Sequence, residues 1–238
     1  MTDHIVTSFS EELEQLSTNV SKMGGLAEAQ LQSAIDAITR RDMALADRTV
    51  SQDQQLDDLE ILIEENAVEL IALRQPMALD LREAMTAIKI AADLERIGDL
   101  AKNISKRSLV IFQDYETPNR LVQGLSRMGK LALGQLKLVL DAYTNRDVEM
   151  ANKVWLSDEE IDEMYNSVFR ELLTYMMEDP RTIGMCTHLL FVAKNIERIG
   201  DHATNIAETV SYLVTGDRVV GERPKGDKTS TTSVATGT

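Results

Sequence analysis

The chain has 238 residues, enough for one large or two small domains; ten are aromatic and four are proline, while Leu, Ala, Met, Glu and Asp recur. That balance favours helices over sheets. Twenty-five basic against 39 acidic residues give a formal net charge of −14, which repels phosphate backbones and excludes nucleic acid as an expected partner. A hydrophobic fraction of 43% supplies a core and argues against wholesale disorder. The single cysteine, Cys186, excludes an intrachain disulfide framework, fits a reducing compartment and is expected as a small buried apolar group. Met1 to Ser10 lack the basic start and apolar stretch of a signal peptide. No window reaches the roughly 18 continuous apolar residues of a membrane span. A cytoplasmic location is expected, with the membrane touched only through partners.

Six long segments carry the helical period. The first opens on a capping-box pattern, Ser8 to Glu11, runs through Leu13, Leu16, Val20, Met23, Ala27, Leu31, Ile35 and Ile38, and stops near Arg40-Arg41-Asp42. The second follows to Leu73 and ends at Arg74-Gln75-Pro76, because a proline disfavours helix in the residue before it. The third runs from Leu79 to Phe112. Thr117 as cap with Pro118 in the first turn starts a fourth to Ala142. The fifth spans Asp147 to Met177 and the sixth Pro180 to Leu213, after a second cap-and-proline signal at Asp179-Pro180. From Gly216 the period ends, and 216–238 read as a disordered tail.

The three-helix order occurs twice. Asp36-Ala-Ile-Thr-Arg-Arg-Asp42 matches Asp141-Ala-Tyr-Thr-Asn-Arg-Asp147 at an offset of 105, and Leu94-Glu-Arg-Ile-Gly-Asp99 matches Ile196-Glu-Arg-Ile-Gly-Asp201 at an offset of 102. One internal duplication accounts for both. The expected fold is all-α, two tandem three-helix bundles over 1–113 and 117–215, placed end to end or side by side. Helices of about 30 residues are about 45 Å long and suit up-down-up bundles with short loops.

Acidic residues line the seams of these helices. In the sixth, Leu189, Val192, Ile196, Ile199, Ala203, Ile206, Val210 and Leu213 alternate spacings of three and four, which marks the core face. Glu197 and Asp201 share its flank, as Glu95 and Asp99 do in the third helix. Asp53 and Asp57 flank the second helix, and Asp158 and Asp162 the fifth. The chain midpoint of Asp57 and Glu95, and of Asp53 and Asp99, is residue 76; the corresponding pairs in the second repeat centre on the Asp179-Pro180 turn. Folding back at each proline brings four carboxylates to one height in each repeat. Like charges at i,i+4 cost roughly 0.2–0.5 kcal/mol on an exposed helix. The repulsion is relieved by solvent and counterions, by basic neighbours such as Lys102 for Asp99 and Lys194 for Glu197, or by a multivalent cation, for which oxygen donors are suitable ligands. Gly98 and Gly200 beside the acids signal close approach of a neighbouring helix, since glycine there costs about 1 kcal/mol relative to alanine.

With its two copies of Glu-Arg-Ile-Gly-Asp at 95–99 and 197–201, the chain resembles the PhoU family and its paired E(D)xxxD motifs. Arg74-Gln75-Pro76 with Asp80-Leu81-Arg82 resembles that family's first interhelical turn, Tyr175 to Asp179 with Arg181-Thr182-Ile183 its second, and Met23-Gly24-Gly25 its first helix. The resemblance covers residues 8 to 214. It implies a duplicated three-helix bundle that negatively regulates phosphate uptake and the phosphate-starvation response, coupling the ATPase subunit of the phosphate-specific ABC transporter to a membrane histidine kinase. It also implies metal ions, iron, zinc, manganese or magnesium, at two clusters: Glu95, Asp99, Asp53 and Asp57 in the first repeat, and Glu197, Asp201, Asp158 and Asp162 in the second. Asn103 and Asn205 stand where some relatives have an acid. No organic cofactor is expected, and a homodimer is.

Two other functions compete with this one. A carboxylate-bridged di-iron oxidase needs Glu-x-x-His on two helices, and none of His4, His188 and His202 has a glutamate three residues before it. A plain helical scaffold, with or without metal, has no such conflict. The chain carries no P-loop, dinucleotide-binding glycine pattern or Ser/His/Asp arrangement, so no catalysis is expected. His202 reads more simply as a surface residue than as a ligand, and Trp155 as core.

Overall fold

Where apolar residues recur at spacings of three and four, the chain is helical. The structure, a computed structural model, describes residues 2–218, with side chains from Phe9 onward. Among these residues are α1 (Thr2–Arg40), α2 (Met43–Ser51), α3 (Gln54–Arg74), α4 (Leu79–Asp114), α5 (Asn119–Asn145), α6 (Val148–Leu156), α7 (Asp158–Glu178), a 3-10 turn at Pro180–Thr182 and α8 (Ile183–Thr215), with no strand. The tail expected to be disordered lies outside the described residues from 219 onward.

The duplicated heptapeptides are corners. Arg41 and Arg146 adopt left-handed backbone angles (φ 56° and 55°), a conformation that costs a non-glycine residue roughly 1–2 kcal/mol. The next residue then caps the following helix: Asp42 accepts from the Leu45 N–H at 2.9 Å and Asp147 from the Met150 N–H at 3.0 Å, each contributing about 1 kcal/mol. The two arginines are also held from outside, Arg41 by donating to the Tyr115 carbonyl at 3.1 Å and Arg146 by an ion pair with Glu83.

Three local expectations are corrected. Helix α1 runs through Ser8 to Glu11 rather than starting there. Thr117 does not cap α5, which begins at Asn119 with no side-chain cap; the Thr117 hydroxyl is buried without a partner. The second and fifth helices are each broken in two. Around residues 52–56 the backbone tightens to i→i+3 bonds, Gln52 to Gln55 and Asp53 to Leu56. At Ser157 the carbonyl accepts a 2.8 Å bond from the Gln135 side chain. A side chain inserted into the helical ladder is a known cause of kinks, and neither break contains a glycine or proline.

Packing follows from these elements. As residue numbers rise along α4 they fall along its partner α8: Arg82 bonds the Leu213 carbonyl, Asp93 meets His202, and Arg107 meets His188. Helices α1 and α5 are likewise antiparallel, with Ser17 near Tyr143 and Ile35 near Gly129. The two bundles therefore lie side by side, with α1, α4, α8 and α5 in the middle and the kinked pairs α2/α3 and α6/α7 on opposite flanks. A pseudo-twofold axis crosses the waist, where the register set by Asp93 and His202 places the equivalent residues Ile97 and Ile199 within one residue of each other. Leu16, Ile38, Ile63, Leu94, Leu125, Leu136, Ile196 and Val210 belong to a single buried apolar cluster spanning both halves, and Cys186 is buried in it.

A methyl group at Gly129 would meet Ile35, with Cγ1 at 2.7 Å, whereas one at Gly134 on the same helix meets nothing within 4 Å. Gly129→Ala is expected to lower the thermal midpoint, because overpacking costs about 1–3 kcal/mol against about 1 kcal/mol of helix propensity gained. Gly134→Ala collects only the gain and is expected to raise it. Melting the two single variants checks whether the shifts have opposite signs.

Candidate functional site

Both acidic rows face the kinked flanks near the waist, and the kinks bring helix starts to the acids. Asp53 is the N-cap of α3 with Asp57 in its first turn; Asp158 opens α7, with Asp162 one turn on. The positive end of a helix dipole favours carboxylates there. Asp53, Asp158, Asp162 and Glu197 are buried, while Asp57, Glu95, Asp99 and Asp201 are partly so. Gly98 and Gly200 let α3 and α7 come this close. A Cβ at Gly98 would collide with Leu56 and one at Gly200 would stand 2.9 Å from Ile161 and 3.4 Å from the Gln135 side-chain oxygen.

In the first repeat, Asp53 and Asp99 meet as the hairpin arithmetic requires, and a lysine joins them. The Lys102 ammonium donates to Asp53 Oδ2 and, at 2.7 Å, to Asp99 Oδ1. Gln30 from α1 donates to Asp53 Oδ1 at 2.9 Å and to the Gly98 carbonyl at 3.4 Å. Burial pulls the Lys102 pKa down, but the two carboxylates more than offset it and hold the ammonium above its ordinary value. Asp99 is held low despite burial by hydrogen bonds from Lys102 and Glu95. Burial first, and then the neighbouring Asp99, push Glu95 up from 4.5 to about 7 against the pull of Arg96. Asp57 is also raised, by burial and by Asp53.

The second repeat is built from equivalent positions. Gln135, the counterpart of Gln30, donates to the Ser157 carbonyl; Thr204, the counterpart of Lys102, donates from its hydroxyl to Asp158 Oδ1 at 3.1 Å. Lys194 approaches from the preceding turn, donating to Glu197 Oε1 at 2.8 Å and lying 5.0 Å over the Tyr165 ring. The other oxygen, Glu197 Oε2, is buried without a hydrogen-bond partner, and burial pushes this carboxyl up.

The surface pairs expected for Lys102 and Lys194 with the motif acids are present, but the reach of Lys102 to Asp53 and the two glutamines carry no signal in local spacing. Asn103 is exposed. His202 and Asn205 face the other bundle, both contacting Asp93 Oδ1, at 2.8 and 3.3 Å, and His188 lies beside Arg107 and Tyr115. Trp155 is only partly buried and donates to Glu208 at 3.2 Å.

The donor chemistry of each cluster decides how it fits a metal ion. Among the described residues no three His, Cys, Asp or Glu side chains close around one point. In the first cluster the ammonium of Lys102 holds the place between Asp53 and Asp99, so a metal does not fit there as the residues stand. In the second, Thr204 donates a neutral hydroxyl to Asp158, Lys194 pairs with Glu197 Oε1, and Glu197 Oε2 is buried without a hydrogen-bond partner, an oxygen that fits a hard cation once the acids rotate toward it.

A tandem bundle of antiparallel three-helix halves, each carrying Glu-x-x-x-Asp against a kinked acidic helix, defines the class of protein. The PhoU domain model matches residues 20–108 and again 125–210, and the chain belongs to the PhoU family. It is 56% identical to the "Phosphate-specific transport system accessory protein PhoU homolog" of Caulobacter vibrioides, over 95% of this chain and 98% of that one. It is 57% identical to the protein of the same name from Rhizobium meliloti, over 96% of each. The crystal structure of PhoU from Pseudomonas aeruginosa aligns with a TM-score of 0.84 at 38% identity, covering 88% of this chain and all of that one. The phosphate transport system regulatory protein PhoU from Streptococcus pneumoniae aligns at 0.81 and 29% identity, covering 89% and 99%.

Because Glu95 binds its proton more tightly folded than unfolded, its contribution is full below about pH 4.5 and is lost as pH rises through about 7. Glu95→Gln is therefore expected to stabilise the protein little at about pH 5 and by a few degrees at about pH 8. Melts in chelator-containing buffer at the two pH values check this; a gap between variant and parent that shrinks with pH contradicts the assignment.

Proposed function

We propose that the protein is a non-enzymatic negative regulator of phosphate uptake and of the phosphate-starvation response. It acts as a cytoplasmic adaptor between the ATPase subunit of the phosphate-specific ABC transporter and a phosphate-sensing histidine kinase. The observation that carries the reading is the match along the whole helical body to proteins named as accessory to the phosphate-specific transport system, together with a structural neighbour named as that system's regulatory protein. The surface is consistent with binding other proteins: Leu73, Met77, Leu79 and Leu81 are exposed around the α3–α4 turn, and clustered exposed apolar side chains mark interaction sites. No described helix is long and apolar enough to cross a membrane, so recruitment to the inner membrane falls to the partners, and the working unit is a homodimer. Deleting the gene is expected to raise phosphate uptake and phosphatase expression in phosphate-replete cells; unchanged expression there overturns the regulatory role.

Cation binding belongs to the same proposal. Glu197, Asp201, Asp158 and Asp162 would hold a divalent or ferric ion in the second repeat, an ion that supplies a partner for Glu197 Oε2, which the pairing of Lys194 with the other oxygen leaves unsatisfied. Titrating the purified protein with manganese(II) and iron(III) is expected to show uptake that Glu95→Gln with Glu197→Gln reduces. Uptake that is absent, or indifferent to those changes, supports instead a scaffold without metal and leaves the adaptor role standing.

A further inference from the structure

We infer that Lys102 is the resident cation of the first repeat: its ammonium occupies the place between Asp53 and Asp99, so this acidic cluster takes no metal. The expectation of twin metal sites treats the repeats as copies, and their acids are copies. Their surroundings are not. Offset by 102 residues, Lys102 becomes Thr204, and both side chains reach the same acid of the facing helix, Asp53 in one case and Asp158 in the other. At this position a charge in the first repeat is replaced by a neutral donor in the second. The second repeat has its own basic residue, Lys194, whose counterpart is Ala92; it enters from the turn before the motif, is 38% exposed against 22% for Lys102, and pairs with Glu197.

Geometry favours the internal cation over an external one. Lys102 lies three residues beyond Asp99, so both project from the same flank of α4, and the lysine stem lies along the helix while its head bridges to α3. Gln30 satisfies the remaining Asp53 oxygen, so the carboxylate is bonded on both oxygens by groups of the chain itself. Fixing a tethered ammonium costs side-chain entropy and part of its hydration, whereas an ion from solution must shed its own water and also displace that ammonium.

The proposal is tested on the full chain by thermal melts. In chelator-containing buffer Lys102→Thr, which copies the second repeat, is expected to lower the midpoint by about 5–10 °C, the effect of leaving a buried carboxylate uncompensated. Adding Asp53→Asn is expected to return most of that loss. If the single variant does not fold, recovery of folding by Asp53→Asn supports the ion pair and failure to recover overturns it. In a second background, Glu197→Gln with Asp201→Asn disables the other cluster. Manganese(II) is expected to leave the midpoint of that chain unchanged and to raise it once Lys102→Thr is added. A manganese-dependent rise while Lys102 is present, or a Lys102→Thr variant as stable as its parent in chelator, overturns the proposal. Calorimetry on the unmodified chain separates this proposal from the cation reading of the second cluster: finding no manganese equivalent removes that reading, while the chelator melts still decide what Lys102 does.

Discussion

Carboxylates can enter a helical bundle only where positive charge or hydrogen-bond donors meet them. Much of this molecule's shape answers that requirement. The two flanking helices are broken where their acids lie, which puts Asp53 and Asp158 at the starts of α3 and α7, by the positive dipole ends. Gln30 and Gln135 reach across from α1 and α5 to the same two breaks. Gly98 and Gly200 remove the side chains that would hold the kinked helices off. Donors, break and close approach recur in both halves, while the basic groups differ: Lys102 stands where the second half has Thr204, and Lys194 where the first has Ala92.

Much of this was legible from periodicity. The heptads of the third and sixth helices, the folding back at Pro76 and at Asp179-Pro180, the internal duplication, and the i,i+3 pairs of Lys102 and Lys194 all depend on residues close in the chain. What was not legible depends on residues far apart. The breaks lack the glycine or proline that usually marks one; at the second, Gln135 reaches the Ser157 carbonyl from 22 residues away, and at the first Gln30 bonds the Asp53 carboxylate from 23. The Lys102 to Asp53 contact spans 49 residues and the His202 to Asp93 contact 109. Thr117 shows the reverse error: good cap chemistry in a place where packing buries the hydroxyl instead.

The waist axis gives the same architectural role to different chemistry at the two ends. The first hairpin turn exposes Met77, Leu79 and Leu81, and the second exposes Met177 and Ile183 beside the Asp179–Arg181 ion pair. Between the halves, the pairing of Asp93 with His202 and Asn205 ties α4 to α8 with polar contacts inside a largely apolar seam, which fixes register as well as adding stability. The formal charge of −14 overstates the field near the first acidic cluster, since Lys102 neutralises part of it locally.

The breaks in the flanking helices have a consequence for how the molecule opens. A kink made by proline is a property of the helix and survives its detachment. One where a glutamine of another helix bonds the broken ladder, as Gln135 does at the Ser157 carbonyl, keeps that bond only while the two are docked. If α2/α3 lifted from α1, Asp53 would lose its donor from Gln30 together with its burial. The acids are thus presented in their native arrangement only by an assembled bundle. Backbone amides around residues 53–57 should then exchange with solvent through the same large-scale opening that frees the buried core of α4, rather than by fraying of a local site.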